Sequence, residues 1–461
     1  MAEWHRSRLI PVSGIDSEKE AETRATSALL AVLSAVRPFS KALLDDLGAS
    51  RAANATVETF TECIFEHDGR RVRPDGLVRV QYGSKPPWTA LVEVKTGEHP
   101  LEVEQLNLYL DIARSTGFQA VISISSEIPS ASGVHPTAGL KVRANSRISV
   151  HHFSWARILT EAIMQKVHRG VGDPDQAWIL SELIRYLQHP ASGALQFRDM
   201  GPSWVDVRSS SRNATLNRRD QRTVDIAERW QQLLRFAALR LGAEIGQAVQ
   251  VVMPNGRPVD AQRGTELAAR LADEGVLDGA LRVPDTAGDI EFVADLRAQL
   301  LVACLAIGTP RDKGARGQIS WLLSQLDGAP ERTVIEAWPK NARSATAVAS
   351  LEAARADRAV LLSPDGKDSL RFRLVLRAPM GAARKAGGRA PSFVESVLGL
   401  IDEFYEGVVQ DLAPWQPPAP RRRALQESDP VIAIGGGSSS SAVPADMASP
   451  SDEAAPVIHQ G

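Results

Sequence analysis

Between Ser17 and Ile124 the hydrophobic period of the chain changes in a fixed order, and that order leaves few folds open. Ala25, Leu29, Leu30, Leu33, Val36 and Leu43 recur mostly at helical steps, and Pro38 interrupts or ends the first helix. Thr56 to Phe65 is rich in β-branched and aromatic residues, and Asp68-Gly69 marks a turn after it. Leu77 to Val80 and Ala90 to Val94 read as two further strands, separated by the loop chemistry of Gly83-Ser84-Lys85-Pro86-Pro87. An apolar helix is predicted from Leu101 to Arg114 and a buried strand from Gln119 to Ile124. The order is therefore helix, three strands, helix, strand, an α/β arrangement. Ile148 to Phe153, Ala156 to Val167 and Trp178 to Leu187 extend it with a strand and two helices.

A length of 461 residues exceeds what one growing core accommodates, which predicts more than one domain. We expect a first domain over 1–207 and a linker over 208–222, signalled by Ser209-Ser210-Ser211-Arg212-Asn213. A separate α+β domain of unassigned role is expected over 223–415. The last stretch, 416–461, is small, polar and free of aromatics, and is expected to be a disordered tail. With 43% apolar and 23% charged residues the remainder is ordinary globular chain, and a net charge of -2 supplies no global basic field for a polyanion. Cys63 and Cys304 lie far apart, with no second Cys or His at zinc-ligand spacing, so neither a disulfide framework nor a structural zinc site is expected. No apolar run reaches the roughly 18 residues of a membrane span, and MAEWHRSRLI lacks a signal-peptide core, so the expected location is cytoplasmic.

Chemistry concentrates around Pro74-Asp75-Gly76 and Glu93-Val94-Lys95, with eighteen positions from Asp75 to Glu93. Period-two alternation puts Glu93 and Lys95 on one face of a strand. Asp75, at the start of the preceding strand, can be brought beside Glu93 across the roughly 4.8 Å between neighbours. Two such carboxylates repel unless a cation separates them, and a hard divalent ion suits oxygen ligands. Only ten of the 53 basic residues are Lys, which makes a Lys at position 95 informative. It could orient an attacking water or stabilise developing charge, a set of roles that phosphodiester hydrolysis uses. The plainer reading is an exposed hairpin face with a surface ion pair, worth about 0–1 kcal/mol.

With these residues in this order the sequence resembles the PD-(D/E)XK nuclease superfamily, whose common restriction-endonuclease-like core has the same helix, three strands, helix, strand order. The next helix adds Gln105 and Tyr109, which match the Gln-x-x-x-Tyr motif of the RecB-type branch. The resemblance implies that Asp75 and Glu93 bind magnesium or manganese, that Lys95 serves catalysis, and that Gln105 and Tyr109 line the site against nucleic acid. It also implies a further Glu from the first helix, for which Glu22 is the candidate and Glu18 and Glu20 compete. It spans roughly 15–165 and is silent on 220–461.

Elsewhere, adjacent strand residues His151 and His152 point to opposite faces and read as structural. Gly308 to Gly317, with Arg311, Lys313 and Arg316, lacks the ending of a P-loop and reads as a basic loop. Leu370, Phe372, Leu374 and Leu376 alternate with Arg371, Arg373, Val375 and Arg377, which predicts a strand with one apolar and one basic face. Arg371, Arg373 and Arg377, with Arg384, Lys385 and Arg389 nearby, are candidates for tracking phosphates. The expectation is a metal-dependent nuclease acting on nucleic acid, DNA by family analogy, in defence against foreign DNA or in repair. Its alternatives are a catalytically silent nucleic-acid-binding or regulatory protein, or a scaffold whose C-terminal domain recruits protein partners.

Overall fold

A computed structural model describes residues 7–416, apart from 16, 50–53, 130–132, 143–145, 195–196, 261, 382, 384–386 and 389. The tail expected over 416–461 and the basic residues Arg384, Lys385 and Arg389 thus lie almost wholly outside the described residues. The chain is mixed α/β, and its first lobe is built on the predicted order. Helices α1 (Glu18–Ala35) and α2 (Arg37–Leu44) meet at the break that Pro38 sets, in the first turn of α2. Strands β1 (Thr56–Thr61), β2 (Phe65–His67), β3 (Arg70–Val72), β4 (Gly76–Gln81) and β5 (Trp88–Val94) follow, then α3 (Val103–Thr116) and β6 (Ala120–Ser125). Strand β7 (Ser149–Ser154), α4 (Trp155–Ile163) and α5 (Pro174–Leu187) complete the lobe.

Among the described residues these strands form a five-stranded sheet in the order β1-β4-β5-β6-β7. The β1, β4 and β5 pairings are antiparallel, while β5, β6 and β7 run parallel, as the α3 crossover requires. Phe65, predicted to end the first strand, instead opens a separate ribbon of β2 and β3. Asp68 and Gly69 both take positive φ at its tip, the tight hairpin turn their residue types favour.

Each face of the sheet buries one set of alternate residues. Val78, Val80, Val92 and Val94 pack with Leu29 and Leu33 of α1 and with α4 and α5. Leu77, Leu91 and Val121 pack with Leu106, Tyr109 and Leu110 of α3. The Pro-Asp-Gly sequence has a steric reason as well as a chemical one: a Cβ on Gly76 would lie 2.4 Å from Leu30 Cδ1. Glycine there lets α1 sit directly on the start of β4.

The second lobe contains α6 (Trp204–Arg212), α7 (Gln221–Ile245), β8 (Gln250–Val252), α8 (Arg263–Glu274), β9 (Val276–Arg282), β10 (Ile290–Asp295) and β11 (Leu300–Gly308). It continues with α9 (Ala315–Leu323), β12 (Val334–Pro339), β13 (Ala347–Ser350), α10 (Leu351–Ala356), β14 (Ser369–Pro379) and α11 (Phe393–Phe404). Its strands make a seven-stranded antiparallel sheet, β13-β12-β14-β11-β10-β9-β8, within the described residues. Trp230 and Leu234 of α7 and Phe393, Leu400 and Ile401 of α11 share its core with Phe292, Leu305, Phe372, Leu374 and Leu376.

The structure corrects two expectations about the join. Residues 208–212 are not linker but the end of α6, because Trp204 and Val207 lie three apart on one helical face and are buried in the second core. Trp204 packs on Phe393 with ring centroids 4.3 Å apart. Nor are the lobes separate bodies: among the described residues the two belong to one compact unit. Thr160 donates to Leu239 O at 3.1 Å and His168 Nε2 lies 2.9 Å from Ala243 O, tying α4 and the turns after it to α7. Among the described residues no single helix is long and apolar enough to cross a membrane.

Candidate active site

The register of β4 on β5 brings the carboxylates together. Gly76 pairs with Val92, so one step further along this antiparallel pair Asp75 faces Glu93. Asp75 Oδ2 also accepts a hydrogen bond from the Val94 amide at 2.8 Å, which fixes its carboxylate against β5. Lys95 follows β5, and its backbone is held from both sides. Its N–H donates to Ile124 O at 2.8 Å, and its carbonyl accepts from the Trp155 indole at 2.9 Å. Its ammonium lies 2.7 Å from Glu93 Oε1 and 3.5 Å from Glu22 Oε1.

Glu22 is thus the first-helix glutamate that reaches the site. Glu20 instead closes the capping box with Ser17 that starts α1, and Glu18 pairs with His99. On α3, Gln105 Nε2 donates to the Tyr109 hydroxyl at 3.0 Å, so the two residues four apart act as one face. Tyr109 is buried against the sheet beside Glu93, and burial, followed by the Glu93 charge, raises the pKa of its phenol.

The electrostatics centre on Glu93, which is 1% exposed. Burial and then the Asp75 charge push its carboxyl up to about 8, against the opposing effects of Lys95 and of the nearby Tyr109 hydroxyl. Burial also raises Glu22. For Lys95 burial disfavours the charged form, but Glu93, Glu22 and Asp75 outweigh it and raise its pKa. Glu93 Oε2 is buried with no hydrogen-bond partner. A buried carboxylate oxygen left in this state is costly unless a proton or cation meets it.

That orphaned oxygen, next to a second carboxylate, fits a hard divalent cation. Among the described residues no group of three or more His, Cys, Asp or Glu side chains is placed to hold a metal. The donors offered here are Asp75 and Glu93, while Glu22 is engaged by Lys95. Magnesium usually takes one or two carboxylates and completes its shell with water and substrate oxygens, so the donor set suits it better than an all-protein cage would.

The other predicted residues go elsewhere. Arg371, Arg373 and Arg377 lie on β14 in the second sheet. Arg373 is committed to Glu291 and Glu336, each at 3.6 Å, and to Cys304 Sγ at 2.8 Å. The Arg371 guanidinium stacks 4.9 Å from the Trp338 ring centroid. Leu370, predicted on the apolar face, is 51% exposed at the strand's start, whereas Phe372, Leu374 and Leu376 are buried. The loop after Gly308 leads into α9 as an ordinary helix start at Gly314. His151 and His152 take separate partners: His151 meets Ser149, and His152 meets Ser123 and Glu127.

Sequence reasoning missed Ser123, the register partner of Glu93, and His135, whose Nε2 lies 2.8 Å from Ser123 Oγ. The available signal was two serines, Ser123 and Ser125, in an otherwise apolar strand. Nothing in the sequence linked Ser123 to a histidine twelve positions on. Comparison with family models, with curated proteins and with solved structures finds no match to this chain.

Proposed function

We propose that this chain is a metal-dependent nuclease with a restriction-endonuclease-like core of the PD-(D/E)XK type, hydrolysing phosphodiester bonds of nucleic acid. The observation that carries the reading is the buried, unpartnered Glu93 Oε2 beside Asp75, with Lys95 held at 2.7 Å from the other Glu93 oxygen. A buried carboxylate with a half-buried one beside it is poorly placed for stability and well placed for a cation. Asp75 and Glu93 would hold magnesium or manganese, which supplies Lewis acidity at a phosphoryl oxygen and lowers the pKa of a water when bound.

The protein's own groups then have distinct tasks. Lys95, kept protonated by Glu93, Glu22 and Asp75, presents a fixed positive charge at the place where negative charge develops on the phosphoryl group. Glu22 steadies that ammonium from α1. On the α3 side the half-buried Gln105 presents its amide to the nucleic acid, while the buried Tyr109 beneath it excludes bulk water from Glu93 and does not itself reach the ligand, contrary to its expected nucleic-acid-binding role. DNA as the substrate rests on family analogy.

A second reading has its own observation. Lys95 bridges Glu93 and Glu22, and such a closed ion cluster can serve as a structural joint between α1 and β5 in a silent nucleic-acid-binding protein. The two readings separate in one assay: incubation of plasmid and linear DNA with the full chain, with magnesium, with manganese and with chelator. Metal-dependent strand cleavage that Asp75→Asn abolishes supports the nuclease. DNA binding without cleavage under all metal conditions supports the silent protein.

A further inference from the structure

Glu93, Ser123 and His152 occupy one row across the sheet. Glu93 is the register partner of Ser123, and Ser123 that of His152, in parallel pairings whose side chains point to the same face. Neighbouring strands lie about 4.8 Å apart, so a serine on β6 is a natural donor to a glutamate side chain at the matched position of β5. Yet the open oxygen of Glu93 takes no hydrogen bond from Ser123.

Hydrogen-bond accounting explains why. His135 Nδ1 accepts from the Thr137 amide at 3.0 Å, so the neutral ring carries its proton on Nε2 and donates it to Ser123 Oγ at 2.8 Å. His152 Nε2 lies 2.8 Å from the Glu127 carbonyl, which only accepts, so His152 also carries its proton on Nε2. Its bare Nδ1, 2.9 Å from Ser123 Oγ, must then receive the single hydroxyl proton of the serine. The other acceptor in reach, His151 O at 3.4 Å, also lies away from Glu93. Burial lowers both imidazoles, His152 to about 4, so the neutral forms used in this accounting are those of neutral pH. Ser123 is fully buried, so no water competes for its proton.

We infer that His152 and His135 are positioning residues that turn the Ser123 proton away from Glu93 and so keep Glu93 Oε2 free to bind the metal ion. The inference rests on the metal-site reading above and deepens it. Without the Nδ1 acceptor the Ser123 proton is left with the long contact to His151 O or with Glu93, the stronger acceptor, and the metal would have to break a Ser123–Glu93 bond before entering.

The test is a cycle of variants read by magnesium and manganese calorimetry on the full chain, with folding checked by circular dichroism. His152→Ala should weaken metal binding by about tenfold, the lower end of effects from groups that orient a metal ligand. Ser123→Ala should bind as the parent does, and the double variant Ser123→Ala/His152→Ala should recover to within about twofold, because no hydroxyl remains to block Glu93. His152→Asn, whose amide oxygen can stand where Nδ1 stood, should also bind as the parent does. A folded His152→Ala protein with parental affinity, or a double variant as weak as His152→Ala, overturns the inference while leaving the metal site standing. A parent that binds neither ion overturns both. Should His152→Ala fail to fold, nitrogen-15 NMR of the parent decides: a proton on His152 Nε2 supports the arrangement, and one on Nδ1 overturns it.

Discussion

Strand β5 with the residue after it, and strand β14, both carry charge on alternate positions, and the protein treats the two rows in opposite ways. On β14, Arg373 finds two carboxylates and a thiol, and Arg371 an indole. These two arginines are satisfied by neighbours in the sheet, and Arg377 is exposed. On β5, Glu93 is buried, is opposed by a second carboxylate and keeps one oxygen with no partner. In the sequence the β14 row is the more conspicuous, with three arginines against a single Glu-x-Lys. A charged row that neighbours satisfy belongs to a surface, whereas a buried carboxyl that keeps an open oxygen beside a second carboxylate points to a missing ligand.

The largest effect that could break this contrast is on stability. Glu93 has a folded-state pKa of about 8 against an ordinary 4.5. Between those values the folded chain holds a proton that the unfolded chain has released, so the stabilisation present below pH 4.5 is lost as pH rises through 8. In chelator the parent should therefore lose roughly 2–5 kcal/mol of stability from this group between pH 5 and 9. Glu93→Gln has no proton to lose and should show a flatter profile, with the gap over the parent widening towards high pH. Denaturant titrations at several pH values measure it, and parallel profiles for the two proteins would contradict the raised pKa of buried Glu93.

Next in size is the seat of α1. Gly76→Ala drives a Cβ toward Leu30 Cδ1, 2.4 Å away, and overpacking of this kind costs about 1–3 kcal/mol. Because Gly76 adjoins Asp75 and α1 carries Glu22, metal affinity should fall together with melting temperature. A drop in one alone would uncouple the helix from the site.

The smallest effect belongs to β14. Arg373→Ala should change nucleic-acid affinity little, since its charge is spent on Glu291 and Glu336. Replacing Arg371 and Arg377 together should lower the salt dependence of binding by no more than about two phosphate contacts. A larger loss from Arg373→Ala would make β14 the main phosphate-tracking surface and reverse the comparison.

Much of the first lobe was legible because its elements keep clean periods. The residues of β4, β5 and β6 alternate or run apolar, and the α1 stripe repeats at helical steps, so their order could be read directly. Asp75, Glu93 and Lys95 came together because period-two geometry and one antiparallel register suffice to place them. The separate ribbon of β2 and β3 was not legible, since Phe65 continues the β-rich composition of β1. Helix α6 was read as linker because three serines outweighed Trp204 and Val207, whose partner Phe393 is remote in sequence. Choosing Glu22 over Glu18 and Glu20 needed the capping box and His99 in space. The Ser123 arrangement needed still more, because the direction of each hydrogen bond follows from partners on three different segments.

The central claim is that Asp75 and Glu93 hold a divalent ion while Lys95 acts on the reaction beside it. The most direct measurement sets magnesium titration by calorimetry beside a DNA cleavage assay for the parent, Asp75→Asn and Lys95→Ala. The account predicts that Asp75→Asn loses metal binding and cleavage together. Lys95→Ala, which removes a cation next to the ion, should keep or gain metal affinity while its cleavage rate falls by about 10²–10³. Cleavage by Lys95→Ala at the parental rate under saturating magnesium would contradict the account and leave Lys95 as a structural ion pair.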